Sequence, residues 1–369
     1  MIIIDDNIPF LGEILSRHSS ILVLPFRNIT QQLLVETGAT ALCIRSTLQV
    51  NKYLLHGTSV RFVGTATSGT DHVDSEYLRK SNIQFADAHG SNAQSVAEYV
   101  LYSVLRYQLQ SSVPLQDTVV GIVGIGAVGS RVAILLKNLG MKVLVCDPPR
   151  VANGDSLDMY GVPSTLLQIL DSAHIITNHV PLVESGRYPT VNLFSRDVLP
   201  LWKRPRLFIH TSRGGITDEE MLIQLHMTHG TMLAIDTWCG EPTAINSEYL
   251  QRAAIASPHI AGHSANAKLT GSLMIARAYA AFAGCSLDTS MITDVLNDNP
   301  PIDSISGNTP RTYSEMHTLV DKIESHRAIS AVTRRFSNDY PQSDRAFTSI
   351  RRDYVNHWEC IADPSAACE

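Results

Sequence analysis

Thr118-Val119-Val120-Gly121-Ile122-Val123-Gly124-Ile125-Gly126-Ala127-Val128-Gly129 is the stretch from which the fold can be read. Its first half is rich in β-branched residues and reads as a short strand. The strand stops at Gly124, Gly126 and Gly129, spaced G-x-G-x-x-G. Val128, Val132, Leu135, Leu136 and Leu139 then recur at the three-to-four-residue spacing of one buried helical face, and Gly140 is placed to end it. Strand, tight turn and helix thus follow in the order a dinucleotide site requires. The first glycine permits the sharp turn, the second lets backbone approach a pyrophosphate, and the third lets helix pack on strand. The helix N-terminus offers unpaired N–H groups to the phosphates. A second strand, Lys142–Cys146, ends at Asp147, about 20 residues on, where a carboxylate accepts bonds from an adenosine ribose and repels a 2′-phosphate. NAD is thereby favoured over NADP. Taken alone, the glycine motif could also be a turn between buried elements.

A chain of 369 residues is long enough for two or three domains with substantial cores. Its 44% hydrophobic and 17% charged content is that of a globular protein, and a net charge of −6 argues against nucleic-acid binding. No apolar run approaches the roughly 20 residues needed to cross a bilayer. Met1-Ile2-Ile3-Ile4-Asp5-Asp6 lacks the features of a secretory signal. Cys43, Cys146, Cys239, Cys285, Cys360 and Cys368 form no C-x-x-C pair, so neither a metal site nor a disulfide framework is expected. Reduced thiols in a cytoplasm are the simplest reading. With 14 histidines, any single one needs supporting context before it is read as catalytic.

Before the glycine stretch, Met1–Ile4, Ile21–Leu24, Ala41–Ile44, Val60–Val63 and Ile83–Phe85 read as strands separated by crossover helices, the signature of a parallel α/β sheet. Two post-strand loops are rich in hydroxyls: Arg45-Ser46-Thr47, and the run Gly64–Asp74 that contains Thr67. They could bind a carboxylate or phosphate, or could be strand-to-helix turns with Asp71 or Asp74 as N-cap. Asn92–Gln110 reads as a long helix. Pro148 and Pro149 predict an extended exit from the second strand. Further strands are expected at His174–Thr177, Leu207–Ile209, Met232–Ile235 and Ile255–Ser257, with helices after Ser164 and from Asp218. His317–Ile329 and the segment Arg351–Glu359 suggest helices beyond the linker Asn299-Pro300-Pro301.

Three strand ends carry polar clusters: His210-Thr211-Ser212-Arg213-Gly214-Gly215, Asp236-Thr237-Trp238-Cys239-Gly240-Glu241-Pro242, and Pro258-His259-Ile260-Ala261-Gly262-His263. Oxidising an alcohol with NAD requires a base for the hydroxyl proton, and a histidine suits that task. A carboxylate on the other ring nitrogen would hold it, and an arginine could grip a substrate carboxylate with two parallel hydrogen bonds. His259, Glu241 and Arg213 fit these roles. Separately, each has a structural alternative as loop histidine, turn residue or surface cation.

Together these motifs resemble the D-2-hydroxyacid dehydrogenase family, on G-I-G-A-V-G, S-R-G-G, D-T-W-C-G-E-P and S-P-H-I-A-G. The resemblance implies that Arg213, Glu241 and His259 form the catalytic set. It implies NAD contacts from Gly124, Gly126, Val128, Gly129, Asp147, Val180 in the loop His179-Val180-Pro181, Thr211, Ser212, Arg213, Asp236 and Gly262. Ile4–Pro9, Arg45-Ser46, Phe62–Asp74, Asn92 with Glu98-Tyr99-Val100, and Cys146–Arg150 narrow the likeness to a branch acting on a small phosphorylated 2-hydroxy acid, 4-phospho-D-erythronate, on the route to pyridoxal 5′-phosphate. Ser46 and Thr67 become substrate contacts under this likeness. Arg45 is positioned to add charge for a phosphate. His263 stands where that branch usually has a tyrosine that touches substrate, and Val180 where a threonine is common.

The implied architecture is α/β: two Rossmann-like doubly wound parallel-sheet domains plus a small C-terminal α+β dimerisation domain. Its expected parts are a discontinuous substrate or lid domain of residues 1–92 and 264–289, an NAD-binding domain of 93–263, and a C-terminal domain of 290–369 that makes a homodimer. The two larger domains are expected to close over the substrate. The rivals are the same chemistry on another D-2-hydroxy acid such as 3-phosphoglycerate, and an NAD(H)-sensing binding module akin to a corepressor. For the C-terminal part, the alternative is a regulatory or stabilising appendage.

Overall fold

The structure, a computed structural model, describes residues 1–305, 311–354 and 357–364. The chain divides into two compact units, Met1–Asn92 with Ser264–Pro300, and Ala93–His263 with the residues from Pro301 onward. The first holds five parallel strands, β1 (Ile2–Asp5), β2 (Ile21–Leu24), β3 (Ala41–Ile44), β4 (Phe62–Thr65) and β5 (Gln84–Asp87), in the order β2-β1-β3-β4-β5. Every residue of β1, β3 and β4 is buried, as apolar strands covered on both faces must be. The helix Ala265–Ala283 packs on this sheet, where Tyr279 meets Phe62 edge-on with ring centroids 5.6 Å apart. The chain therefore leaves this unit after Asn92 and comes back to complete it.

In the second unit seven parallel strands follow: β6 (Val119–Val123), β7 (Lys142–Cys146), β8 (Val162–Pro163), β9 (Ile175–Asn178), β10 (Leu207–His210), β11 (Met232–Ile235) and β12 (Ile255–Ala256). Their order is β12-β11-β10-β9-β6-β7-β8, so it reverses between β6 and β9. Such a switch point opens a crevice at the C-terminal ends of the strands. Register aligns the last residues in one row, Cys146, Val123, Asn178, His210, Ile235 and Ala256. The next residue in each case, Asp147, Gly124, His179, Thr211, Asp236 and Ser257, therefore opens a loop on the same edge.

Two expectations are revised here. After Asp147 the chain forms a short helix, Pro148–Ala152, rather than an extended exit. Proline is barred from a helix interior but suits the first turn, and Asp147 caps the Arg150 amide at 3.1 Å. Residues 290–369, expected as one further domain, are divided: 290–300 belong with the first unit and 301 onward with the second. The described part is helical, Tyr313–Arg327, Ile329–Asp339 and Arg345–Asp353, with one isolated bridge between Asp303 and Ile361. The last helix ends before Tyr354, and Trp358 and Glu359 lie outside it. Cys368 falls outside the described residues.

The reason for this division is a shared core. Leu319, Val320 and Ile323 are buried in one cluster with Val100 and Val104 of the helix Ala93–Gln108. Phe336, Phe347 and Ile350 are buried with Trp238 and Ile260. Arg327, fully buried, donates to the carbonyls of Ser95 at 2.5 Å and Ala261 at 2.8 Å, and lies 3.8 Å from Glu98. Glu98 in turn accepts the amides of Cys360 and Ile361. Polar groups buried together in this way hold the tail in register, because leaving any one unpaired is costly.

Candidate active site

The glycine turn is shaped by what it cannot accommodate. Gly124 has φ +89°, and a Cβ on Gly129 would lie 1.9 Å from the Gly124 carbonyl oxygen. A Cβ on Gly126 would meet nothing within 4 Å. Open space thus faces the start of the helix Ala127–Asn138, whose N-terminus has no side-chain cap and carries Val128 in its first turn. A pyrophosphate fits such a cradle. Asp147 accepts the Ile125 amide at 2.8 Å, tying the second strand to the turn, and Arg150 donates to the Ile125 carbonyl at 2.7 Å. Val180 abuts Gly124, where a Cβ would come within 2.9 Å of its Cγ1. Thr211 Oγ1 is 3.5 Å from His179 Nδ1, whereas the Ser212 hydroxyl turns inward to the Asn178 carbonyl at 2.6 Å.

At the ends of β10, β11 and β12 the three expected catalytic side chains occupy adjoining loops. Arg213 is half-buried and donates to the Ser212 carbonyl at 2.9 Å. The glycine that follows it is required, since a Cβ on Gly214 would lie 2.2 Å from the Trp238 carbonyl oxygen. That close approach sets the arginine loop against the loop that carries Glu241. Glu241 Oε1 lies 2.5 Å from His259 Nδ1, and Oε2 accepts the Trp238 amide at 3.0 Å. Burial pushes the Glu241 carboxyl up, but the bond and charge of His259, the Trp238 amide and the Arg351 charge outweigh it and leave it below its ordinary range. Glu241 is therefore ionised at neutral pH.

His259 sits at φ +55°, a left-handed conformation that histidine rarely adopts. Asp236 holds it there. The Asp236 carbonyl accepts the His259 amide at 2.8 Å. Its carboxylate accepts Ser257 Oγ at 2.6 Å and the amides of Ile260 and Ala261 at 2.7 and 3.0 Å. Asp236, expected as a cofactor contact, is 1% exposed, and the role visible in its bonds is to shape the loop that ends at Gly262. Tyr99 extends the support with a 2.8 Å bond to Ser257. Two other histidines at these strand ends are driven to neutrality: burial, with the neighbouring His210 charge, pushes His179 down to about 3, and burial pushes His210 down to about 4.

Trp238, which carries no site signal in the sequence, donates its indole N–H to the Ser257 carbonyl at 2.8 Å. Arg351 is likewise indistinguishable in the sequence from any other helix arginine. Arg351 Nη2 lies 3.5 Å from Nε2 of His263, a contact between residues 88 positions apart. No local spacing signals it.

In the first unit, Arg45 and Ser46 follow β3 directly and Thr67 follows β4 by two residues. Thr67 Oγ1 lies 2.8 Å from Thr65 Oγ1 and donates to the Gly69 carbonyl at 3.2 Å, while Thr65 meets His72 Nε2 at 3.0 Å. The hydroxyl is thus oriented by a network. Asp74 caps the helix Ser75–Lys80, bonding the Tyr77 amide at 2.9 Å, so the run does serve as a strand-to-helix turn. Burial and the positive charge of Arg45 hold Lys268 below its ordinary pKa, which places a second cation near Arg45. Among the described residues no group of three His, Cys, Asp or Glu side chains could hold a metal ion. No described helix is long and apolar enough to cross a membrane.

Residues 90–261 match the family described as D-isomer specific 2-hydroxyacid dehydrogenase, NAD binding domain. Erythronate-4-phosphate dehydrogenase of Cronobacter sakazakii is 36% identical over 359 residues, covering 97% of this chain and 92% of that protein. The enzyme of the same name from Escherichia coli (strain 55989 / EAEC) is 34% identical over 370 residues, covering 99% and 95%. The chain belongs to the erythronate-4-phosphate dehydrogenase family. It is an NAD-binding 2-hydroxyacid dehydrogenase. Solved structures share the fold: D-lactate dehydrogenase of Aquifex aeolicus with NAD and lactic acid has a TM-score of 0.62 at 18% identity, covering 77% of this chain and 96% of that one. NAD⁺-bound 3-phosphoglycerate dehydrogenase of Entamoeba histolytica gives 0.63 at 20%, covering 77% and 95%.

Proposed function

We propose that this chain oxidises the C2 hydroxyl of 4-phospho-D-erythronate to (R)-3-hydroxy-2-oxo-4-phosphooxybutanoate, a step towards pyridoxal 5′-phosphate. The observation that carries the chemistry is the 2.5 Å pairing of Glu241 with His259 beside the Arg213 loop, on the same sheet edge as the glycine turn. His259 takes the hydroxyl proton through its remaining ring nitrogen. Glu241, bonded to Nδ1, fixes the ring and favours its protonated form once the proton arrives. Arg213 binds the C1 carboxylate and orients C2. NAD, when bound, supplies the hydride acceptor. Its proposed contacts are Gly124, Gly126, Val128, Gly129, Asp147, Val180, Thr211, Ser212, Arg213 and Gly262, with Asp236 supporting the last of these loops.

Ser46, Thr67 and Arg45 are the proposed substrate-binding groups of the first unit, and His263 is a further one in the second. A cytoplasmic setting fits the free thiols of Cys43, Cys146, Cys239, Cys285 and Cys360. A homodimer through the C-terminal segment belongs to the same reading, and light scattering on the purified protein checks it.

The deciding assay is NADH formation with 4-phospho-D-erythronate against unphosphorylated erythronate and 3-phosphoglycerate. Preference for the phosphorylated four-carbon acid is the expected result. Preference for 3-phosphoglycerate would replace the substrate and keep the chemistry.

A further inference from the structure

We propose that Arg351 is a substrate-contacting residue that grips the phosphate of the substrate, with His263 steadying its guanidinium. The inference rests on the substrate class proposed above. The helix Arg345–Asp353 is seated by Phe347 and Ile350, each 2% exposed, in the same apolar cluster as Trp238 and Ile260. That seating carries Arg351 to the loop of the acid/base candidate, where Nη2 lies 3.5 Å from Nε2 of His263, four residues after His259.

Two other arginines of this segment, Arg327 and Arg335, show what a structural role looks like. Arg327 donates to two carbonyls beside Glu98. Arg335 reaches Asp353 at 2.9 Å and Asp339 at 3.5 Å. Arg351 is half-buried, yet among the described residues it forms no ion pair, and its one hydrogen-bond contact is the long one to His263. A guanidinium has five N–H donors in a fixed fork and cannot shed its charge. Burial and the like charge of Arg213 disfavour it, while Glu241 and Asp236 attract it without bonding it. Two guanidiniums from different elements, brought to the same group of loops, match a substrate with two anionic ends. With Arg213 on the carboxylate, the uncommitted fork of Arg351 suits a phosphate. His263, in the position usually taken by tyrosine, accepts from the fork and leaves the other donors free.

The test compares wild type, Arg351→Gln and Arg351→Lys on 4-phospho-D-erythronate and on unphosphorylated erythronate, with NADH binding followed by fluorescence to show that each variant is folded. Arg351→Gln should raise KM for the phosphorylated acid by about tenfold or more, with a much smaller change in kcat and a much smaller loss on erythronate. Arg351→Lys, which keeps the charge and loses the fork, should fall between. An equal loss on both acids, or an unchanged KM, overturns the inference. A turnover-independent arm measures the thermal stabilisation of each protein by inorganic phosphate, which Arg351→Gln should at least halve. No difference between variant and wild type there would also overturn it. Should wild type prefer 3-phosphoglycerate, the proposed substrate fails, while Arg351 is decided by the same comparison made between 3-phosphoglycerate and glycerate.

Discussion

His259 occupies a strained backbone position, bonds a carboxylate through one ring nitrogen, and has its loop pinned by three groups that donate to a single buried aspartate. Strain of this kind costs about 1–3 kcal/mol and persists only where surroundings over-determine it, which is the case here. Purified His259→Ala should therefore keep NADH binding and lose turnover by about 10²–10⁴-fold. A rate within a few-fold of wild type would remove the general-base assignment. Glu241→Gln keeps shape and loses charge, so it should lower kcat by about tenfold or more without weakening NADH binding; unchanged kcat would show that Glu241 only braces the turn. At this scale the sequence was informative because chemistry constrains residue type. Arg213, Glu241 and His259 could be picked out as an arginine, a carboxylate and a histidine at strand ends. Arg351 could not, because nothing in Arg351-Arg352-Asp353 distinguishes a fork that faces a site from one that faces water.

Among the elements, strands such as β1, β3, β4, β9 and β10 were legible because each is a short, mostly apolar run that is buried throughout, and the helix after Gly126 because its apolar stripe is periodic. Boundaries moved by one or two residues, as with β9, which starts at Ile175 and ends at Asn178. The two-residue β8 was missed, since Val162 and Pro163 carry no pattern. Of the C-terminal helices, Tyr313–Arg327 was visible in outline, Ile329–Asp339 was not, and Arg345–Asp353 was placed too late; none was visible as part of the second unit's core, because the contacts that place them join residues far apart in sequence. Phe336 is the clearest of these. It is fully buried, with its ring 5.7 Å from Trp238, 5.5 Å from Tyr340 and 5.9 Å from Phe347. Phe336→Ala should cost about 3–5 kcal/mol in urea denaturation. Because Trp238 positions the amide that Glu241 accepts, turnover should fall with it even where the variant stays folded. A loss under about 1 kcal/mol would mean that the tail merely rests on the surface.

For the whole molecule, the buried Glu98 links stability to pH. Burial raises its carboxyl from the ordinary 4.5 to about 7, against the lowering pull of Arg327 and the Ile361 and Cys360 amides. The folded state thus holds this proton more tightly than the unfolded chain does. Its contribution to stability is full below about pH 4.5 and is lost as pH rises through about 7. Glu98→Gln cannot titrate. Between about pH 4 and about pH 8, the difference in unfolding free energy should shift in the variant's favour by roughly 3 kcal/mol. A constant difference across that range would show that folding leaves the Glu98 pKa unchanged.

The bond from Glu98 to the Cys360 and Ile361 amides also has a bearing on how the protein is made. Glu98 is translated well before the groups that complete its environment, Arg327 and the two amides, the Cys360 amide lying 262 positions downstream. Phe336 likewise arrives after every strand of the sheet it covers. The core of the nucleotide-binding unit therefore cannot close until these downstream residues have been made. A prematurely released polypeptide would carry an intact G-x-G-x-x-G turn on an unfinished core, leaving quality-control proteases to tell it from the finished enzyme.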